Sequence, residues 1–452
     1  MSTRTVVRRP PDSQGAAMSE FRLSEDEIRL RSRQLGEPDW MLEARINAWQ
    51  HYQSLPMPDI RQEAWRRTDL SGLPAEKLHW RAVDDLPVDP VLLRPITDES
   101  QGGLVIVRPG LPTLANVDPA IHARGVVFSD WESAVRDHPD IVRTHLGRLV
   151  DPAQSKFAAL AAAAANSGVV LYVPPGVRLD QPLHSVIWAP GAERAFATRL
   201  LVVLGKGASA TFVHEFASPT EAENAGFHAG TLEVIVGEDA QLKLVELQTW
   251  GEHVWTVTHE KAQVAARGQV DWIFGAVGSH LTKNFSELTL AGEGAEGRMS
   301  GFYFTDGVQH LDHDTQQNHL APHTTSDLLF KGALTGRSRS VWQGMIYVAP
   351  GAQRTDGYQA NRNLLLSRQA RADSIPGLEI LADDVRCTHG ATVGRLEEEP
   401  LYYLMTRGIP RPDAERLVVY GFFAPIMSRI PFEGVRERFQ RMIDEKMRQA
   451  IR

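Results

Sequence analysis

Cys387 is the only thiol among the 452 residues, and it stands in Arg386-Cys387-Thr388-His389-Gly390-Ala391-Thr392, two positions ahead of a histidine. In an extended strand, residues two apart leave the same face. A thiolate and an imidazole so placed can share one metal ion, or the imidazole can lower the thiol pKa. Iron–sulfur clusters are normally held by about four protein ligands, mostly thiolates, so one such chain could hold a cluster only with ligands from a partner. Spacing alone leaves a buried, inert cysteine as the alternative.

A second constellation is Gln309-His310-Leu311-Asp312-His313-Asp314, with His319 and Pro322-His323-Thr324-Thr325-Ser326-Asp327. Imidazole and carboxylate suit zinc or iron. On a strand, however, His310 and His313 point to opposite faces, and His313, His319 and His323 share parity only if no turn intervenes. Hydrogen-bonded packing between strands is the competing reading. Asp383-Asp384 and Glu397-Glu398-Glu399 read as solvated charge runs. No Gly-x-Ser-x-Gly, His-Glu-x-x-His or phosphate-loop pattern occurs, so the chain is not expected to hydrolyse nucleotides.

These residues must be positioned by a mostly β framework. Leu200 to Leu204 is followed by Gly205-Lys206-Gly207-Ala208, and Leu232 to Val236 by Gly237-Glu238-Asp239-Ala240, a step of 32 residues between Ala208 and Ala240. Echoes follow at Ala266-Arg267-Gly268-Gln269, Ala291-Gly292-Glu293-Gly294 and Ala349-Pro350-Gly351-Ala352. An apolar strand, a glycine turn and a shorter strand such as Thr211 to His214, repeated in this way, make the rungs of a solenoid. A large β-sandwich is the alternative.

Helices are expected at both ends. Ser24-Glu25-Asp26-Glu27 is a capping box, Trp40 to Tyr52 and Phe157 to Ala165 have helical patterns, and a helix is expected near Trp131 to Leu146. Leu104 to Val107 and Val169 to Val173 read as strands. After Arg395, a helix runs from Leu396 to Arg407 and ends at Gly408, a second opens at Pro412, and a third runs from Val435 to Ile451. These would cap the solenoid or grip another protein. The predicted organisation is a disordered tail over 1–20, a helical and mixed region over 21–150, a β core over 151–395 and a helical region over 396–452. Met18 is a possible alternative start.

Composition is that of an ordinary globular chain, 42% hydrophobic and 23% charged. A formal net charge of −8 gives no basic field for nucleic acid. No apolar run reaches the roughly 18 residues of a membrane span, and the first residues lack the apolar core of a secretory signal. A single cysteine is consistent with a reducing cytoplasm.

Several stretches resemble the SufB/SufD family of the SUF iron–sulfur assembly system. They are Glu63-Ala64-Trp65-Arg66-Arg67-Thr68-Asp69-Leu70, Leu311 to Asp327 running into Lys331-Gly332-Ala333-Leu334, Gly344 to Ala352, Asp356 to Ser367, and Leu378 to Gly394. The resemblance spans about Trp40 to Ile430 and implies a right-handed parallel β-helix with helical flanks. The Arg386 to Thr392 stretch is similar to the SufD branch, and Gln369 to Pro376 lacks the cysteine that SufB carries there. The resemblance further implies a non-catalytic assembly subunit that forms a heterodimer with SufB, whose cysteine would face His389 and Cys387 across the interface and share a transient iron–sulfur cluster. It implies docking of the ATPase SufC on Leu401, Tyr402, Leu404, Arg407, Gly408, Leu417, Val418, Gly421 and Phe422, with a reduced flavin as a possible ligand of the complex and a homodimer possible without SufB. The rival readings are a carbohydrate-active β-helix enzyme and a metalloenzyme built on the histidines.

Overall fold

Six successive turns along one edge of the molecule each contain a left-handed residue: Gly207, Asp239, Arg267, Gly294, His323 and Arg354, with φ between 53° and 68°. Glycine adopts this conformation freely, and Asn, Asp and His adopt it more readily than most other residues. Five of these turns are the glycine-containing echoes of the sequence, the His323 turn has no glycine, and each of the six joins a strand of one sheet to a strand of the other.

The computed structural model describes residues 18–96, 101–221, 224–430 and 432–450. Its strands form a ten-stranded and a nine-stranded sheet, and from Ser167–Val173 onward sequence neighbours alternate between them, a parallel solenoid of about eight turns. The rung length drifts from 32 residues between Ser209 and Gln241 to 27 between Gln269 and Glu296, then back to 31 between Thr325 and Asp356. That variation in connection length blurs the repeat in the sequence. The strand Gly103–Arg108 pairs in parallel with Leu183–Trp188, so the first rung recruits a strand from ahead of the boundary expected near 150. Leu111–Val117 and Val127–Asp130 close that end as antiparallel strands.

Alternate residues face inward and stack in register. One ladder runs Phe212, Leu244, Trp272, Met299, Leu328, Gln359 and His389, and its neighbour runs Ala210, Leu242, Val270, Gly297, Ser326, Gly357 and Cys387. From Phe212 to Gln359 every member of the first ladder is buried. Each large apolar side chain contributes about 1.5–3 kcal/mol by leaving water.

The helix Glu25–Gln34 starts at the Ser24 capping box, and Asp39–Ser54 follows. The alanine-rich helix Lys156–Ala164 is wholly buried between Asp39–Ser54 and the outer face of the nine-stranded sheet. Its small side chains permit that close approach. The single helix expected near Trp131 is two, Trp131–Asp137 and Pro139–His145, because proline can only begin a helix and forces His138 out of helical geometry. Met18 is buried and Glu20 accepts a hydrogen bond from the Tyr52 hydroxyl at 2.6 Å. Residues 18–20 therefore belong to the packed chain rather than to the tail, whose residues 1–17 lie outside the described ones. No helix among the described residues is long and apolar enough to cross a membrane.

The C-terminal helices Glu398–Thr406, Arg411–Met427 and Glu433–Ala450 do not cap the solenoid. The last two lie along its flank, where Val245, Leu247, Ile273, Phe302 and Phe304 of the ten-stranded sheet form an apolar outer face that must be covered. Val419, Phe423, Ile426, Phe439 and Ile443 cover it, with the Phe302 and Phe439 rings edge to face at 4.2 Å. Charge then locks the last helix in place. Buried Arg438 donates to Glu215, which also pairs with His184 at 2.7 Å, and Arg438 donates to the Arg94 carbonyl at 2.8 Å. Burial pushes the Glu215 carboxyl up, but His184 and Arg438 bring it below the usual value. Its stabilising contribution is therefore present above that ordinary value and is lost as pH falls through the lowered one. Arg438→Ala would strand a buried carboxylate at a cost of about 3–5 kcal/mol. A clear fall in the thermal midpoint at pH 7 is expected, shrinking when the melt is repeated near pH 4.

Candidate site at the open end of the solenoid

The last two strands have neighbours on one side only. Arg386–Arg395 pairs with Asp356–Leu365, Arg371–Ile380 pairs with Arg339–Val348, and both end their sheets. Two unpaired backbone edges therefore lie at one end, beside apolar side chains in water: Leu378 is 36% exposed, Ile380 37%, Val393 45% and Leu381 51%. Soluble proteins normally protect such edges with charge, proline, bulges or a covering element. Among the described residues, no element covers these.

Cys387 and His389 terminate the two inward ladders at this end. As the strand spacing predicts, they share a face, with the thiol half-buried and the imidazole exposed. Gly357 makes room for the thiol, because a Cβ there would lie 3.2 Å from the Cys387 Sγ and 3.5 Å from the His319 Nε2. Burial pushes the thiol pKa up, the Gly357 N–H opposes this, and the Asp356 carboxylate adds to it. The expected lowering by a neighbouring imidazole is therefore not realised. The thiol is protonated at neutral pH, and a metal would have to displace its proton.

The four upstream histidines are not gathered. His310 faces outward, with its Nε2 2.8 Å from the Thr68 hydroxyl. His313 lies in the lumen among Phe274, Tyr303 and Phe330 with neither ring nitrogen hydrogen-bonded. His319 is held by the Thr324 and Ser326 hydroxyls at 2.7 and 2.9 Å, and His323 sits in a turn. No group of three or more metal-ligating side chains exists among the described residues. The histidine-cluster metal site is thus corrected: alternation of the strand and an intervening turn separate its members.

Two motif stretches far apart in sequence do meet. Thr68 donates to Asp312, and the buried Lys283 ammonium lies 2.9 Å from Asp312 and 2.8 Å from Asp314, under the Phe285 and Trp65 rings. Burial pushes the Asp312 carboxyl up to about 6, against the pull of Lys283. This joint anchors the Glu63 to Leu70 segment on the solenoid, a role that no local sequence signal marks for Lys283.

The expected partner-binding residues divide. Tyr402, Arg407, Gly408, Leu417 and Gly421 are exposed, Leu404, Val418 and Phe422 are half-buried, and Leu401 is fully buried. Leu401 thus serves packing rather than docking, and the Phe422 carbonyl accepts from Lys331 at 2.7 Å. Sequence reasoning missed Tyr403 and Met405, which with Tyr402 give the helix Glu398–Thr406 an exposed aromatic face.

Residues 187–422 match the family model described as SUF system FeS cluster assembly, SufBD core domain. The chain belongs to the SufBD family. Residues 115–184 match the SufBD protein N-terminal region. Similar relatives include the iron-sulfur cluster assembly protein SufB of Bacillus subtilis, 27% identical over 96% of this chain and 95% of its own length. SufBD family proteins of Staphylococcus haemolyticus and Staphylococcus epidermidis are also 27% identical, with the same coverage. The solenoid and the SufBD membership agree with the expectations drawn from the repeat and the motifs.

Proposed function

We propose that this SufBD protein is the SufD-type subunit of a cytoplasmic SufB–SufC–SufD complex, a non-catalytic scaffold at whose open end an iron–sulfur cluster is assembled. The observation that carries the reading is the position of the chain's only thiol, with His389, on the last inward-facing positions of a solenoid whose two final strands each have one unpaired edge. The edges suit a second β-solenoid, and Cys387 with His389 supply about half of a cluster's usual ligand set. SufB provides the remaining thiolates, and without it a second copy of this chain can occupy the same edges. The SufD assignment rests on the Cys387-Thr388-His389 sequence and the absence of a second cysteine, although one similar relative is named SufB.

SufC docks on the exposed Tyr402, Tyr403, Met405 and Leu417, and ATP hydrolysis belongs to that partner. Truncation after Arg395 would uncover the flank and unfold the chain, so Tyr402→Ala is the appropriate probe of SufC binding. The decisive experiment is anaerobic co-purification with SufB and SufC of the same genome, followed by iron and sulfide analysis. His389→Ala and Cys387→Ser should each leave the ternary complex intact and lower its cluster content severalfold. Unchanged content in an intact complex would reduce this subunit to a structural arm.

A further inference from the structure

The strand Leu111–Val117 ends the ten-stranded sheet at the opposite end of the solenoid. It pairs on one side with Gly103–Arg108 and, among the described residues, with no strand on the other. The outward N–H and C=O groups of such an edge can pair with another chain, so natural edges carry charge, proline or a bulge. Leu111–Val117 contains no charged residue. Pro112 and the register shift between Ile106 and Arg108 guard only the turn end. Beyond them the pairing is regular from Leu114 to Val117, and Leu114, Ala115 and Asn116 are exposed.

The two faces of this edge differ. On one, Leu114 continues an apolar ladder from Val186 and Ile106, and it is 46% exposed where that ladder stops. On the other, Thr113 and Ala115 form part of the wall of a cleft of about 940 Å³ that also presents Arg31, Arg81, Arg108 and Arg136.

These cations are unevenly answered. Arg108 pairs with Asp85 at 2.8 Å and Arg136 with Asp137 at 2.9 Å. Half-buried Arg31 donates to the carbonyls of Ala164 and Trp80 and has no carboxylate in direct contact. Arg81 is exposed, and its side chain has no hydrogen bond or ion pair among the described residues. Of the two carboxylates in the lining, Asp130 accepts from the Ser133 N–H at 3.0 Å, which leaves Glu132 to oppose Arg31 and Arg81. A positive excess therefore flanks one face of an unpaired edge, on a chain whose net charge is −8.

We propose that this edge accepts an extended segment of a partner protein in which acidic residues alternate with apolar ones. Successive side chains of a strand point to opposite faces. A strand added beside Leu111–Val117 places every second side chain over the cleft and the others beside Leu114. Carboxylates in the first set meet Arg81 and Arg31, apolar groups in the second extend the ladder from Ile106, and the two backbones pair as in other cases of strand addition. A second copy of this edge fits less well, because it brings its own arginines against these and like charges facing each other disfavour an interface. The proposal is independent of the cluster reading, which concerns the other end of the molecule.

Fluorescence anisotropy with the full chain in moderate salt tests it, using a labelled hexapeptide of alternating Glu and Val as the probe. Two controls are its Lys–Val counterpart and a block hexapeptide with the Glu residues first and the Val residues after. The alternating acidic peptide should bind saturably, one per chain, and at least tenfold more tightly than either control. Leu114→Lys and Arg81→Glu are exposed changes that leave the far-ultraviolet circular dichroism unaltered. Each should weaken the acidic peptide severalfold or more, and Arg81→Glu should strengthen the Lys–Val peptide. Absence of saturable binding at millimolar concentration would overturn the site, and binding unchanged in both variants would overturn its location. Equal binding of the block peptide would replace strand addition by plain charge attraction. A dimer of the full chain that Leu114→Lys abolishes, read by light scattering, would give the edge to a second copy and overturn the acidic partner.

Discussion

Replacing Leu378 and Ile380 together with lysine is expected to leave this SufBD chain folded while removing the stable association proposed with SufB. Both side chains lie on the terminal strand Arg371–Ile380, more than a third exposed, so in the isolated chain the substitutions put charge into water. In the proposed complex they would put it into a desolvated interface. About a third of each side chain is left to bury, worth roughly 0.5–1 kcal/mol each, and leaving a charge buried without a partner costs about 3–5 kcal/mol. A loss of affinity of at least about a hundredfold follows, since each 1.4 kcal/mol is tenfold. Size-exclusion chromatography with light scattering reads the association, and a thermal melt of the isolated chain reads the fold. A variant that still forms the complex at the same concentration would place the interface elsewhere.

Acidification is expected to destabilise the protein steeply below pH 6. Burial holds His228, His259, His310 and His313 down to about 3, and His319 to about 4. The folded chain keeps these imidazoles neutral, whereas the unfolded chain protonates them near 6.5. Stability is therefore lost as pH falls from 6.5, by up to about 1.4 kcal/mol per pH unit for each such group. Asp312, Asp314, Glu246 and Glu260 act in the opposite sense, because burial raises their carboxyl pKa values and the folded state protonates them first. Their gain ends near pH 4, where the unfolded carboxyls protonate as well, and the imidazoles then act unopposed. The urea midpoint should fall from pH 7 to pH 5 and collapse near pH 4. His313→Phe, placed among three aromatic rings and losing no hydrogen bond, should reduce the slope by about one proton. An unchanged slope would mean that His313 is protonated in the folded state.

The rungs were legible because one backbone requirement leaves a local mark: a left-handed turn residue such as Gly207, Asp239 or Gly294 follows an apolar strand. The shared face of Cys387 and His389 was legible from spacing two apart. The scatter of the histidines was legible in part, because proximity in sequence is not proximity on a strand and parity already separated His310 from His313. The uncovered end could not be read, since the C-terminal helices have an apolar stripe that fits either a cap or a flank. Only the apolar outer face made by Val245, Ile273 and Phe302, gathered from three rungs, decides between them.

The flank-covering helices also set a schedule for the growing polypeptide. Arg438 reaches back to Glu215 and to the Arg94 carbonyl, across 223 and 344 residues of chain. A ribosome delivering residues from the N-terminus completes every rung before the cover emerges, and at about 5–20 residues per second the apolar strip stays wet for seconds to tens of seconds. During that interval the nascent protein offers sticky surface both on its side and at its end. Translation stalled only a few dozen residues short would release an otherwise finished solenoid in an aggregation-prone form, so quality control of this protein hinges on its last two helices.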